Sequence, residues 1–222
     1  MDETTLSPIK KQQNYTDSAI DTLRTAIITG QLGPGERLLE TSLGKQLGIS
    51  RVPVREALRT LEAEGIIIKS SGRGYEVWSP TKDDVDEIVD LRFVLEVKAY
   101  NVLVGAISAS DQRRLNGLLD EIKISFDEKD FRRTLKYDRE FHESLIRMSG
   151  LPRVHKFWLQ IISQLEVLLV RGSSIDLPFD STRFVNSHKQ ILDNLVKGDL
   201  ATAISTLDRH CEQSKQGLKP VV

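Results

Sequence analysis

Cysteine is almost missing from this 222-residue chain: Cys211 stands alone, which excludes an internal disulfide and any zinc site built from several thiolates. Long apolar runs are missing too. None approaches the roughly 18 residues that would span a bilayer, and the polar first residues lack the apolar centre of a secretion signal. A soluble, cytoplasmic protein with no membrane partner is the expectation. Nor is there an excess of charge of one sign. Lys and Arg number 31 against 32 Asp and Glu, a net charge of −1, which excludes a protein that coats nucleic acid through bulk positive charge. Even residues 1–79 hold ten Lys and Arg against ten Asp and Glu, so any cationic surface there depends on placement. There are no repeats or low-complexity segments, and the length suits one large domain or two modest ones.

What is present centres on Gly48 to Gly65. Ser50 is placed to cap a helix by accepting an unpaired backbone N–H. Pro53 falls in the first turn, where its missing N–H costs little, and Gly65 supplies the left-handed residue that ends many helices. Val54, Ala57, Leu58 and Leu61 make one apolar face, while Arg51, Arg55 and Arg59, four apart, make a cationic stripe on another. Such a stripe could be an ordinary solvated surface. Its planar guanidinium forks also match phosphate oxygens and the O6/N7 edge of guanine.

The neighbouring segments favour DNA. Glu40 to Leu47 reads as a short helix with Leu39, Leu43 and Leu47 four apart, closed by Gly48. Two short helices joined by a tight turn form the helix-turn-helix pattern, whose second helix enters the major groove. Downstream, Ile66–Lys69 and Tyr75–Trp78 are strand-like around a Gly-rich tip holding Arg73 and Gly74, which predicts a β-hairpin wing able to reach the DNA backbone or minor groove. An earlier helix carries Ile20, Leu23, Ile27 and Ile28 and stops at Gly30, and residues 1–14 form a polar arm.

Residues 79–82 break the pattern as a linker, and Thr81 caps a helix opened by acidic residues. From there the chain reads as helix throughout. Six segments, at about 82–106, 110–127, 130–149, 152–171, 181–197 and 199–217, predict an all-α antiparallel six-helix bundle. The fourth is marked by Val154, Phe157, Trp158, Ile161, Leu165, Leu168 and Leu169. The fold class is therefore mainly α, a winged helix-turn-helix over 15–78 followed by the bundle over 83–217.

Three of the four histidines sit on apolar helix faces. His142 lies four residues after Asp138, so both side chains point inward together. His188 precedes Ile191, Leu192 and Leu195; His210 follows Ala203 and Leu207. Singly, each could be a hydrogen-bonded core histidine. Jointly, a buried carboxylate needs a cationic partner, and three imidazoles with one carboxylate suit a divalent ion with one or two open positions. His155 does not share the pattern.

On these residues the chain resembles GntR-type bacterial transcription regulators. The resemblance rests on Gly30–Leu38, on Ser50–Arg59 (Ser-Arg-Val-Pro-Val-Arg-Glu-Ala-Leu-Arg) and on Leu61–Gly65. It implies DNA contacts from Ser50, Arg51, Val52, Pro53, Arg55, Arg59, Arg73 and Gly74. Val52 stands where this group usually has Thr. Residues 82–217 resemble the FCD effector domain of the FadR-type branch, and six helices rather than seven point to the VanR-like subgroup. Asp138-x-x-x-His142, His188 before Ile191-Leu192, and His210 after Gly198-Asp199 match its metal-binding members, while Leu151 replaces the usual Asn. Arg92 and Glu96 match an Arg-x-x-x-Glu element placed near the effector in that family, although a surface ion pair would have the same spacing.

The resemblance implies a homodimeric repressor of palindromic operator DNA, holding a divalent metal (zinc first, nickel or manganese as alternatives) and a small carboxylate effector. The loop over 172–180 is the candidate lid. Two other readings fit a metal with open positions: a regulator that senses the ion itself, and a metal-dependent hydrolase, for which no general base stands beside the ligand stripes and which leaves the helix-turn-helix unexplained.

Overall fold

The computed structural model describes residues 13–72, 74–172 and 181–222. The chain divides after Trp78 into two compact units. Arg73, most of the expected arm and most of the candidate lid lie outside the described residues.

The first unit holds α1 (Gln13–Ile28), β1 (Arg37–Leu38), α2 (Glu40–Leu47), α3 (Arg51–Ala63), β2 (Ile67–Lys69) and β3 (Tyr75–Val77). Its core is Ala19, Leu23 and Ile27 from α1, packed with Val54, Ala57, Leu58 and Leu61 from α3, with Ile66 just before the sheet and with Ile67 and Val77 from it. The two-stranded hairpin expected from sequence is a three-stranded sheet of order β1-β3-β2. Arg37 and Leu38 pair antiparallel with Glu76 and Tyr75. Two residues are too short to show alternation, which is why the turn before α2 conceals a strand. Gly74 makes the pairing possible: its φ is +102°, and a Cβ there would stand 3.0 Å from the Leu38 carbonyl oxygen. The Leu39-Leu43-Leu47 stripe holds only in part, because Leu43 is buried and Leu39 is exposed.

The second unit contains α4 (Lys82–Leu103), α5 (Ala109–Asp127), α6 (Phe131–Met148), α7 (Pro152–Gly172), α8 (Ser181–Lys197) and α9 (Leu200–Leu218), closed by a short 3-10 turn at Lys219–Val221. Thr81 and Asp84 form a reciprocal capping box, so Lys82 is already helical rather than linker. Ser108, Asp130 and Asp199 cap α5, α6 and α9, each accepting a backbone N–H. Helix packing runs α4–α7–α6–α5–α8–α9 and back to α4, a closed ring, with α6 also against α4. Phe157 departs from its predicted face: the buried side of α7 is Trp158, Ile162, Leu165 and Leu168, and Phe157 is 54% exposed. Among the described residues no helix is long and apolar enough to cross a membrane.

Candidate metal centre and nucleic-acid interface

Inside the helical unit, α6 contributes Asp138 and His142, α8 His188 and α9 His210. All four are buried, and each can offer a ligand atom within 4.8 Å of the others. The three imidazole centroids lie 4.6 to 5.5 Å apart. Each ring has its Nδ1 engaged from outside the cluster. His142 Nδ1 meets Glu96 Oε2 at 2.8 Å, His188 Nδ1 meets the Phe184 carbonyl at 2.8 Å, and His210 Nδ1 meets Ser187 Oγ at 3.3 Å. Such partners fix ring orientation and leave Nε2 for the centre, as outer-sphere groups do around metal ligands. His188 Nε2 reaches Asp138 Oδ1 at 2.7 Å. His142 Nε2 is 3.8 Å from the same oxygen and is buried without a hydrogen-bond partner.

Electrostatics prepare the donors. Burial pushes the His142 and His210 rings below the usual imidazole range, which keeps them neutral near pH 7. Burial also opposes ionisation of Asp138, but the hydrogen bond from His188 and the nearby positive groups outweigh it and hold that carboxyl well below its ordinary value. Neutral His142 and His210 beside an ionised Asp138 are in the protonation states in which such groups bind metal.

Behind the cluster, α4 presents Arg92, Glu96 and Tyr100 on successive turns. Arg92 and Glu96 are only 2% and 1% exposed, so they are not the surface pair their spacing allowed. Glu96 accepts from Arg92 Nε at 2.8 Å, from Trp158 Nε1 at 3.1 Å and from Tyr100 OH at 3.4 Å, besides its contact with His142. Burial works against the Glu96 charge, yet it stays ionised beside Arg92, whose guanidinium is charged at any physiological pH. Arg92 Nη2 has no partner. Among the described residues, Arg92 Nη2 and His142 Nε2 are the two buried side-chain polar atoms left unpaired, and both belong to residues held by Glu96.

Sequence reasoning missed Trp158, Tyr100, Ser187 and Phe184. Tyr100 was within reach of it, being four residues after Glu96 and eight after Arg92. The Phe184 contribution is a backbone carbonyl, which no residue pattern announces. His155 lies at the rim, 3.1 Å from Glu143.

In the first unit, α3 exposes Arg51, Val52, Arg55 and Arg59, while Pro53 is buried. Ser50 occupies the N-cap position with extended backbone (φ −70°, ψ 164°) but makes no capping hydrogen bond. A cap side chain bonds the backbone N–H of the second or third helical residue, and the third is Pro53, which has none. The hydroxyl is left for another partner. Arg55 is engaged: its Nε and Nη2 meet the Glu40 carboxylate at 3.0 and 2.8 Å, joining α3 to α2. Hydrogen bonding from Arg55 lowers the Glu40 pKa. Arg59 pairs with Glu56 at 3.1 Å.

Residues 15–77 match the family described as bacterial regulatory proteins, gntR family, and residues 87–213 match the FCD domain. The chain is 27% identical over 191 residues to the gluconate operon transcriptional repressor of Bacillus subtilis, covering 85% of this chain and 78% of that one. It is 34% identical over 128 residues to the uncharacterised HTH-type regulator YdhC of the same organism, a match spanning 57% of each chain. The solved structure of Escherichia coli McbR/YncC has the same fold, with a TM-score of 0.80, 23% identity and coverage of 93% of this chain and 97% of that one.

Proposed function

From the premise that the chain belongs to the GntR family of transcription regulators, and is a DNA-binding regulator with an FCD effector-binding domain rather than an enzyme, we propose a cytoplasmic, homodimeric repressor. Its helical unit holds a divalent ion at Asp138, His142, His188 and His210 and a small organic acid at Arg92. The observation that carries this reading is the pair of unsatisfied buried atoms. A buried polar group without a partner costs about 1–3 kcal/mol, and two of them in residues held by one carboxylate suit a bound guest. A cation would satisfy His142 Nε2, and a carboxylate oxygen would satisfy Arg92 Nη2. Zinc fits the imidazole-rich set, as does nickel; manganese, which prefers oxygen donors, is the weaker alternative with Asp138 as its one carboxylate. When bound, the ion supplies positive charge that attracts an anionic effector. The chain's own residues orient the rings, exclude water and keep the donors deprotonated.

The effector influences DNA only through different affinities for two states of the protein. The test is operator affinity of metal-loaded protein as organic acids are added, beside a titration of free metal alone. Release by an acid at constant metal supports the reading. Affinity that follows metal and ignores every acid makes the ion itself the signal and overturns it.

On DNA, Ser50, Arg51, Val52, Arg55 and Arg59 of the recognition helix region and Gly74 of the wing form the contact surface; Pro53, expected there from sequence, is buried and drops out, and Arg73 lies outside the described residues. Arg55→Ala is expected to weaken operator binding by about 1–3 kcal/mol at fixed salt, if its fork meets a base edge. Unchanged affinity in a band-shift or anisotropy titration would remove α3 from the interface.

Dimerisation is proposed through α4 and α7, which pack on each other. Leu91, Val94 (60% exposed) and Val102 of α4 and Phe157 of α7 leave large apolar side chains in solvent. Val94→Glu is expected to weaken self-association at least about tenfold, since each covered aliphatic side chain contributes about 1.5–3 kcal/mol. Sedimentation that shows the same dimer in the variant would place the interface elsewhere.

A further inference from the structure

Between Arg51 and Thr60, the exposed side chains of α3 are Arg51, Val52, Arg55, Glu56, Arg59 and Thr60. Val52 alone among them carries no hydrogen-bond donor or acceptor, and it is 61% exposed. It is the second residue of the helix, next to Arg51 and one turn before Arg55. In a helix that docks in the major groove, the N-terminal residues are those that contact base edges.

An apolar side chain at that position has few ways to discriminate. It cannot pair with the O6 and N7 acceptors of guanine, the N4 donor of cytosine or the N6 donor of adenine. Leaving such groups desolvated and unpaired against it costs affinity. One apolar feature exists on the edges of the bases in this groove, the C5 methyl of thymine. Val is also branched at Cβ, so in a helix its side chain is almost confined to one rotamer and presents its methyls in a fixed place. That geometry favours contact with a methyl group and loses little side-chain freedom on binding.

We propose that Val52 reads a thymine methyl in each operator half-site, making it a specificity-determining residue beside the arginines. The inference rests on the DNA-binding reading of α3. It goes further by naming the atom recognised and by predicting which chemical change in the DNA the protein detects.

The test uses the full-length protein and duplexes selected by it from a random pool. Each thymine of the selected half-site is replaced in turn, in both halves, by deoxyuridine, which removes the methyl and keeps every Watson–Crick and groove hydrogen-bonding group. One replacement is expected to reduce affinity of the unmodified protein roughly fourfold per half-site, the value of one buried methyl. Val52→Ala is expected to bind the thymine and deoxyuridine duplexes equally. Val52→Thr, which keeps one methyl, should restore part of the discrimination. Thermal unfolding checks that these exposed-site variants remain folded. If no thymine is sensitive in the unmodified protein, or if Val52→Ala discriminates as well as the parent, the assignment is overturned while DNA binding stands. If the protein selects no duplex at all, the DNA-binding reading of α3 falls and takes this inference with it.

Discussion

Alanine at both His188 and His210 will leave the chain unable to hold a divalent ion, whereas the unmodified protein is expected to take up about one per chain. Two of four ligands would be gone. His188 is also the residue that meets Asp138 at 2.7 Å, so its loss leaves a buried carboxylate with one close imidazole fewer. Elemental analysis of purified protein reads the first effect, and thermal unfolding with and without added metal reads the second. An ion present at a thousandfold above its Kd stabilises the native state by about 4 kcal/mol, a shift of several degrees that the variant should lack. Equal metal content and equal unfolding temperatures in parent and variant would make these ordinary core histidines.

The sign of the pH dependence follows from the same burial. The His142 and His210 rings lie below the usual imidazole value of about 6.5. In the folded chain they are therefore still neutral when unfolded imidazoles have begun to protonate. Stability of the metal-free protein should fall as pH drops below about 6.5, because the unfolded chain binds protons that the buried rings refuse. Metal uptake should persist somewhat below that pH and fail as the lowered values are passed.

The second large effect concerns stability. Glu96→Ala is expected to cost about 3–5 kcal/mol, the range for breaking a buried ion pair from one side. The substitution strands the Arg92 guanidinium and removes the acceptor for Trp158 Nε1, Tyr100 OH and His142 Nδ1 together. Urea unfolding measures it. Arg139→Ala, at a partly exposed pair with Glu166, is the control and should cost less than about 1 kcal/mol. An Arg92→Leu/Glu96→Leu double variant should recover part of the loss, because the uncompensated charge is gone, yet fail to respond to organic acids. That outcome would separate the ion pair's part in ligand binding from its cost to the fold. A Glu96→Ala effect no larger than the Arg139 control would mean that water reaches this site.

Much of this was legible because helices advertise themselves. Thr81 caps α4 as its position suggests, and Gly48, Gly150 and Gly198 take the positive φ that helix ends use. Asp138 and His142 share a face because they are four apart. What escaped was set by tertiary pairing. β1 exists through Gly74 and β3, not through any propensity of Arg37 and Leu38. Pro53 fitted the first turn as expected, yet the same residue removes the donor that Ser50 would have capped. Phe157 shares a periodic stripe with core residues but points outward, because a stripe wider than the buried contact leaves its edge in solvent. The partners of Glu96 come from three helices, and only the two on its own helix, Arg92 and Tyr100, had a spacing to betray them.

The clasp between Glu40 and Arg55 bears on how such a protein searches. A carboxylate fixed against the guanidinium makes the pair nearly neutral at long range, in a unit whose acids and bases already balance over residues 1–79. Attraction to any stretch of duplex grows with the number of phosphates neutralised, and this arginine adds little to it. If Arg55 meets a base edge as proposed, its fork has first to release the Glu40 carboxylate, which holds Nε and Nη2. On that proposal Glu40 is a tethered counterion, and the pair stays closed wherever no base edge competes for the fork. The ratio between operator and random-sequence affinity, which decides occupancy in a genome full of decoys, then depends on how far a base contact outweighs the ion pair it replaces.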